Sequence, residues 1–314
     1  MQGKQIPRHK IAKKDWLQDA EGLMMLHSDE PAFLGAEAGS IRSRPARIAA
    51  ERALVRIIHH YGKRPEFVVL GGLVPEWLCS DSEFQHAGTV DVDVQVDLEI
   101  ACGEINASRL ERALRNAEFF PEGSQIWRWI SNQPGSSSII KLELLADLRN
   151  RPANTEFIFK GCSNLGAVNL RGTGFASRDT EVRELRARIG GVMQHAEVNV
   201  TGLAGFLLAK VEAAHSRRKA KDWYDIAFVL LHNNAGGPLG AVALIRERFR
   251  NEINAVYSAL NDLEENFSVP DAQGPKAYAE QMQIDHPALD AKVLKADAVV
   301  AVGAFCQTLR DGTL

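Results

Sequence analysis

The sequence predicts an α+β fold: a mixed sheet flanked by helices over residues 46–165, then a helical C-terminal domain over 166–314. Three observations lead there. Short apolar or alternating runs bounded by turn residues crowd the first half. A Gly-Gly pair separates one such run from a helix-like segment. After residue 165, apolar spacings of three and four residues dominate. A chain of 314 residues, 45% apolar and 25% charged, is long enough for two cores and has none of the bias of disordered, collagenous or coiled-coil sequences.

Residues 1–45 carry Lys4, Arg8, Lys10, Lys13 and Lys14 and one short apolar patch (Trp16, Leu17, Leu23, Leu26), and are expected to form an N-terminal arm docked on the body. From Pro45 the recurrence of Ile48, Ala49, Leu54, Ile57, Ile58 and Tyr61 predicts a helix closed by Gly62 in a left-handed cap. Phe67 to Leu70 is a continuous apolar run ahead of Gly71-Gly72, the pattern of a buried strand. Leu73 to Ser80 predicts a helix with Pro75 in its first turn, where the missing N–H costs nothing. Residues 90–96 alternate strictly, placing valines on one face of a strand and Asp91, Asp93 and Gln95 on the other.

Ser108 to Phe119 predicts an amphipathic helix with Ser108 as N-cap and Glu111 completing a capping box. Strands are expected at Gln125–Ile130, at Ser138–Leu145 after a Pro134-Gly135 turn, and at Thr155–Phe159. In the second of these Ile140, Leu142 and Leu144 face one way, Lys141 and Glu143 the other. Helices are expected near 201–216, 221–233, 239–262 and 287–309, with Gly236-Gly237-Pro238 separating two of them.

Charge and cysteine usage narrow the class. Lys+Arg 37 against Asp+Glu 40 leaves −3, so bulk charge names no polyanionic partner. Cys79, Cys102, Cys162 and Cys306 form no CxxC pair, which fits free thiols in a reducing compartment. The longest apolar run, Ala298 to Cys306, is far shorter than the roughly 20 residues of a membrane span, and the basic N-terminus lacks the apolar stretch of a secretory signal. A cytoplasmic protein is expected, with no membrane partner.

The chemistry is expected at two clusters. Asp91 and Asp93, at i and i+2 of one strand, project from one face and repel each other unless a cation or a proton intervenes. Hard divalent ions such as Mg²⁺ prefer carboxylate oxygens, so the two acids read as a metal pair, the alternative being an edge strand with its polar face in water. Glu143 is the expected third ligand with Lys141 on its face, and Asp147 at the strand end is the competitor. Gly71 and Gly72, between a buried strand and a helix, allow backbone N–H groups to approach a phosphate. In the second cluster, Lys210 sits on an apolar helical face with Leu203, Leu207 and Val211. His215, Arg217, Arg218, Lys219 and Lys221 follow, just before Asp222 and Asp225. Such a concentration of cations reads either as a polyphosphate clamp whose cations the two acids orient, or as a solvated turn.

The order VVLGGLVPEWL, HAGTVDVDVQVDL, IIKLELLAD resembles the nucleotidyltransferase superfamily of the DNA polymerase β type, and AKVEAAHSRRKAKDWYDI is similar to the Lys…Arg…Lys-Asp-x-x-Asp signature of the AbiEii/AbiGii toxin family. The resemblance covers about residues 46–235. It implies a nucleotidyltransferase-type sheet and a C-terminal domain completing the active site. It also implies Mg²⁺-dependent transfer of a nucleoside monophosphate from an NTP to a hydroxyl, on a tRNA 3′ end or a protein side chain. Members are commonly toxins of toxin–antitoxin or phage-defence systems, so a cognate antitoxin is a further implied partner. The carry-over assigns catalysis to Asp91, Asp93, Glu143, Lys210 and Asp222, two Mg²⁺ ions to Asp91, Asp93 and Glu143, and nucleotide contacts to Gly71, Gly72, Lys141, Lys210, Arg218, Lys221 and Asp225. Two departures stand out. Leu73 occupies the place of the family's Ser or Thr after Gly-Gly, and the interval from Gly72 to Asp91 is long, with Asp81 to His86 resembling an insertion. His86, just upstream of Gly88-Thr89, is placed to reach the site, although a lone loop histidine is more often exposed. A small-molecule (antibiotic-type) nucleotidyltransferase and a non-catalytic nucleotide- or partner-binding module on the same fold are the rival readings.

Overall fold

A computed structural model describes residues 43–89, 91–95, 104–132 and 139–311, without the side chains of residues 93–95 and 104–105. Residues 1–42 of the N-terminal arm, Val90, Val96 and the Pro134-Gly135 turn lie outside the described residues.

Helix α1 (Arg44–Tyr61) starts where Ser43 accepts a hydrogen bond from Ala46 N, and ends at Gly62 with φ 80°, as its spacing and glycine predict. The apolar run after it forms β1 (Val68–Leu70), and Gly71–Leu73 make a single 3₁₀ turn leading into α2 (Val74–Leu78), with Pro75 in the first turn. Then come β2 (Asp91–Gln95), α3 (Glu104–Asn116), β3 (Phe120–Pro121), β4 (Arg128–Asn132), β5 (Ile139–Ala146), β6 (Glu156–Ile158) and β7 (Gly166–Asn169). A short helix, α4 (Gly174–Arg178), precedes the long hairpin of β8 (Thr180–Ile189) and β9 (Val192–Thr201). The remainder is helical: α5 (Leu203–Arg217), α6 (Ala220–His232), α7 (Gly237–Phe249), α8 (Tyr257–Asn266), α9 (Gln273–Asp285) and α10 (Ala291–Asp311).

The sheet runs β3-β4-β5-β2-β1-β9-β8, with β7 beside the end of β5 and β6 beside β7. It is mixed: β2–β5, β1–β9 and β5–β7 are parallel, the other pairs antiparallel. One face (Val69, Val92, Ile140, Leu142, Leu144, Val198) belongs to the main core, against which α1 packs with α3 beside it. The opposite face carries the polar positions of β2 and β5. It is closed at one end by a small cluster of Leu70, Leu145, Val168 and the α4 residue Ala176. Among the described residues no single helix is long and apolar enough to cross a membrane.

Several boundaries differ from expectation. Helix α3 begins at Glu104, so Ser108 lies inside it, where its hydroxyl donates to Gly161 O; Glu111 accepts from Ser163 N and Asn164 N instead of closing a capping box. The helix expected over 239–262 breaks after Phe249, whose ring meets Phe175 edge-on, and a 3₁₀ turn (Ile253–Val256) intervenes before α8. Helix α9 was not anticipated. Three strands, β7–β9, lie beyond residue 165, and β9 pairs directly with β1, so the sheet draws on both sides of the expected boundary.

Candidate active site

Register brings the first cluster together. On β2 and β5 the Cα partners are Asp91 with Lys141 and Asp93 with Glu143, and on β4 Arg128 lies opposite Glu143. Leu70, the last residue of β1, is the partner of Asp93, so the Gly71-Gly72 turn leaves the sheet beside the start of β2. Residues directly opposite share a face, and this row therefore forms a line across the polar face of the sheet. Of Asp93 only the backbone is described. The Asp91 and Glu143 side chains are mostly buried, and each has a cation close by: Lys221 Nζ is 3.7 Å from Asp91 Oδ2, and Arg128 Nε donates to Glu143 Oε1 at 2.7 Å. Arg128 also bonds Glu122 at 3.2 Å and lies 4.5 Å from the Trp127 ring centre. Burial alone would lower its pKa, but the Glu143 and Glu122 carboxylates outweigh that and raise it.

Asp147, the competitor of Glu143, is engaged elsewhere. Its Oδ2 accepts from Gly172 N at 2.9 Å and Gly174 N at 3.2 Å, at the start of α4. Gly71 takes φ 77°, the left-handed region. Gly72 is required for space: a Cβ there would stand 2.9 Å from Thr89 Cβ and 3.0 Å from Thr89 Cγ2. Thr89 Oγ1 in turn accepts from Asp91 N at 3.0 Å. Leu73 is fully buried in the core.

The second cluster is a buried charge network. Lys210 Nζ donates to Asp222 Oδ1 at 3.1 Å and to Asp225 Oδ2 at 2.7 Å. Asp222 is gripped by both Arg217 Nε (2.7 Å) and Nη2 (2.8 Å), a two-point contact that only a guanidinium makes. Burial would raise the Asp222 carboxyl, yet Arg217 and Lys210 hold it well below the usual carboxylate range. Burial would likewise lower the Lys210 ammonium, which Asp225 and Asp222 raise instead. The predicted Arg218 is not brought to this network. It closes α5 with φ 48° and its guanidinium turns to Asp262 on α8. Lys221, one helical turn before Asp225, reaches the strand at Asp91.

Arg128, which holds Glu143, escaped the sequence reading. Arg217, expected only as one of a cluster of cations, is the one that holds Asp222, and His86, expected in an exposed loop, is buried with Nε2 2.9 Å from Asp225 Oδ1. A cation alternating with two tryptophans, Trp127-Arg128-Trp129, was the only local signal for the first.

The donor chemistry fits a hard divalent cation. Asp91 and Glu143 lie on adjacent strands at positions of the same parity, oxygen donors of the kind such ions take, and each has one cation close by. Among the described side chains, no three His, Cys, Asp or Glu groups already converge as a preformed metal site.

Residues 168–298 match the family model described as nucleotidyl transferase AbiEii toxin, type IV TA system. No curated protein and no solved structure matches the chain. The matched stretch holds Lys210, Arg217, Lys221, Asp222 and Asp225, while Gly71, Gly72, His86, Asp91, Asp93 and Glu143 precede it. The contact of Lys221 with Asp91 joins the two parts, so the stretch similar to the AbiEii nucleotidyl transferase toxin family touches the strand that carries the Asp-x-Asp pair.

Proposed function

We propose that the protein moves a nucleoside monophosphate from an NTP to a hydroxyl acceptor, a tRNA 3′ end or a protein side chain, and is restrained by a cognate antitoxin. The observation that carries the proposal is the approach of Lys221, in the family-matched part, to Asp91 on the Asp-x-Asp strand. A carboxylate row with a lysine brought to it from a neighbouring helix is what transfer of a polyphosphate-activated group requires: acids for metal and proton, a cation for the leaving charge.

In this reading the acceptor oxygen attacks the α-phosphorus in line, the bond to the bridging oxygen breaks, and pyrophosphate leaves. Asp91, Asp93 and Glu143 would hold the two Mg²⁺ ions, which would supply neutralisation of the charge that builds up during transfer. Glu143 takes the hydroxyl proton, with Arg128 fixing the direction of its carboxylate. The Gly71-Gly72 turn accommodates the triphosphate backbone to backbone, where a side chain would intrude. Lys221 and Lys141 offset charge on the phosphates. Lys210 is held between Asp222 and Asp225, so its part is to fix the base of α6, from which Lys221 extends.

The test is transfer of label from each of four α-³²P NTPs to total bacterial RNA and protein, with Mg²⁺, with EDTA, and with Asp91→Ala/Asp93→Ala. Label that needs Mg²⁺ and vanishes in the double variant is expected, and its carrier identifies the acceptor class. Absence of label on both RNA and protein would overturn the proposal.

A further inference from the structure

His86 joins the two halves of the site through one fully buried imidazole. It precedes β2, and its ring lies between α6 side chains, stacked on Tyr224 at 5.0 Å and edge-on to Phe228 at 5.1 Å. The segment is fastened from several sides: His86 N donates to Glu76 Oε2 at 3.1 Å and Ala87 N to Tyr224 Oη at 3.0 Å. Gly88 has φ 78°, and a Cβ there would meet Ser43 O at 2.7 Å, so the chain has one path into Thr89 and Asp91.

The hydrogen bonds identify the tautomer. Gly88 N donates to His86 Nδ1 at 3.2 Å, which requires that nitrogen to be unprotonated. The neutral ring then carries its proton on Nε2 and donates it to Asp225 Oδ1 at 2.9 Å. The other oxygen of Asp225 receives Lys210, Lys210 also donates to Asp222, and Asp222 receives Arg217. A continuous line of hydrogen bonds therefore runs from the segment that leads into the strand with the candidate metal ligands to the cations of the family-matched helices.

We propose that His86 is a positioning residue: through Nε2–H it fixes Asp225, and through Asp225 it fixes Lys210 and α6 relative to the strand bearing Asp91. The proposal rests on the nucleotidyl-transfer reading for its consequence in catalysis. It explains the long interval between Gly72 and Asp91, because residues 81–89 form the segment that docks on α6 and on the residue that caps α9: Phe84 packs on His232 and His286.

Two substitutions separate the two hydrogen bonds of the ring. His86→Gln places an amide N–H where Nε2–H was and forgoes the bond from Gly88. His86→Asn keeps an acceptor for Gly88 and forgoes the donor to Asp225. Transfer in His86→Gln is expected to stay near that of the native protein. In His86→Asn, kcat is expected to fall about 10- to 100-fold, the usual effect of removing a group that orients an active-site ligand, with the KM for NTP little moved. Equal loss in both variants, or no loss in His86→Asn, would overturn the assignment. A second measurement does not need activity: in ¹⁵N-histidine-labelled native protein, His86 is expected to show a protonated Nε2 and bare Nδ1, and Lys210→Met to shift the Nε2 resonance. The opposite tautomer, or a folded Lys210→Met protein with an unmoved signal, counts against the proposal. If the native protein transfers no label, the functional reading fails, and the NMR experiment still decides the linkage.

Discussion

Lys221 Nζ lies 3.7 Å from Asp91 Oδ2, linking the first turn of α6 to the first residue of β2. Its side chain is partly exposed, so an incoming phosphate can reach the ammonium. Lys221→Ala is expected to lower kcat about 10²-fold, the scale of losing one charge-stabilising group, while stability changes by no more than about 0.5 kcal/mol. Single-turnover transfer alongside urea unfolding separates the two effects. A parallel fall in stability would make Lys221 a structural cation instead.

Lys210 is different because its partners are inside the protein. Removing it leaves Asp222 with Arg217 and Asp225 with His86, but both acids lose a buried cation. Lys210→Met is expected to cost about 3–5 kcal/mol, the range for breaking a buried ion pair from one side. Urea denaturation at pH 7 measures it.

The same network sets a pH window. The Asp222 carboxyl is depressed in the folded state, so its stabilisation is complete above about pH 3.9, the unfolded value, and is lost as pH falls toward the lower folded value. The Lys210 ammonium is raised, so its contribution is complete below about pH 10.4 and is lost as pH climbs through the folded value. Thermal unfolding from pH 2 to 11 is expected to show both limbs in the native protein, with the alkaline limb reduced in Lys210→Met.

Arg128 and Glu143 share a hydrogen bond of 2.7 Å between two mostly buried side chains. Without the guanidinium the carboxylate loses its fixed direction. Arg128→Met is expected to raise the Mg²⁺ concentration needed for half-maximal transfer about 10- to 100-fold, as loss of an outer partner does at metal sites. Titration of transfer against Mg²⁺ reads this, and an unchanged midpoint would remove Arg128 from the site.

What the sequence discloses depends on whether the burial that shapes each element is local. The β2 alternation was legible because Val92 is fully buried while Asp91 remains partly open on the other face. Gly62 and Pro75 were legible because backbone stereochemistry alone fixes their places. The β8–β9 hairpin had a local signal, Gly190-Gly191 between alternating runs, but Glu181, Arg183, Glu184, Arg186 and Arg188 on the outer strand diluted the apolar pattern. His86 gave no such signal, since its partner Asp225 is 139 residues away and only the tertiary fold brings the two together. The choice of Arg217 over Arg218 was equally hidden, because it follows from the left-handed turn that ends α5 at Arg218.

His232, at the end of α6, provides a pH response outside the charge network. Its Nε2 lies 3.0 Å from the Tyr278 hydroxyl and its ring packs on Phe84 and Phe228. Burial, and after it the neighbouring His286, push its pKa down to about 4, against about 6.5 in an unfolded chain. Between those values the unfolded chain binds the proton that the folded protein refuses, so stability falls as pH drops from about 6.5 to about 4. His232→Gln keeps a polar group near Tyr278 and removes the titration. The urea midpoint of the native protein is expected to drop between pH 7 and pH 4.5 by more than that of the variant. Equal drops would assign the acid sensitivity to other groups and leave His232 as a packing residue beneath the segment that delivers β2.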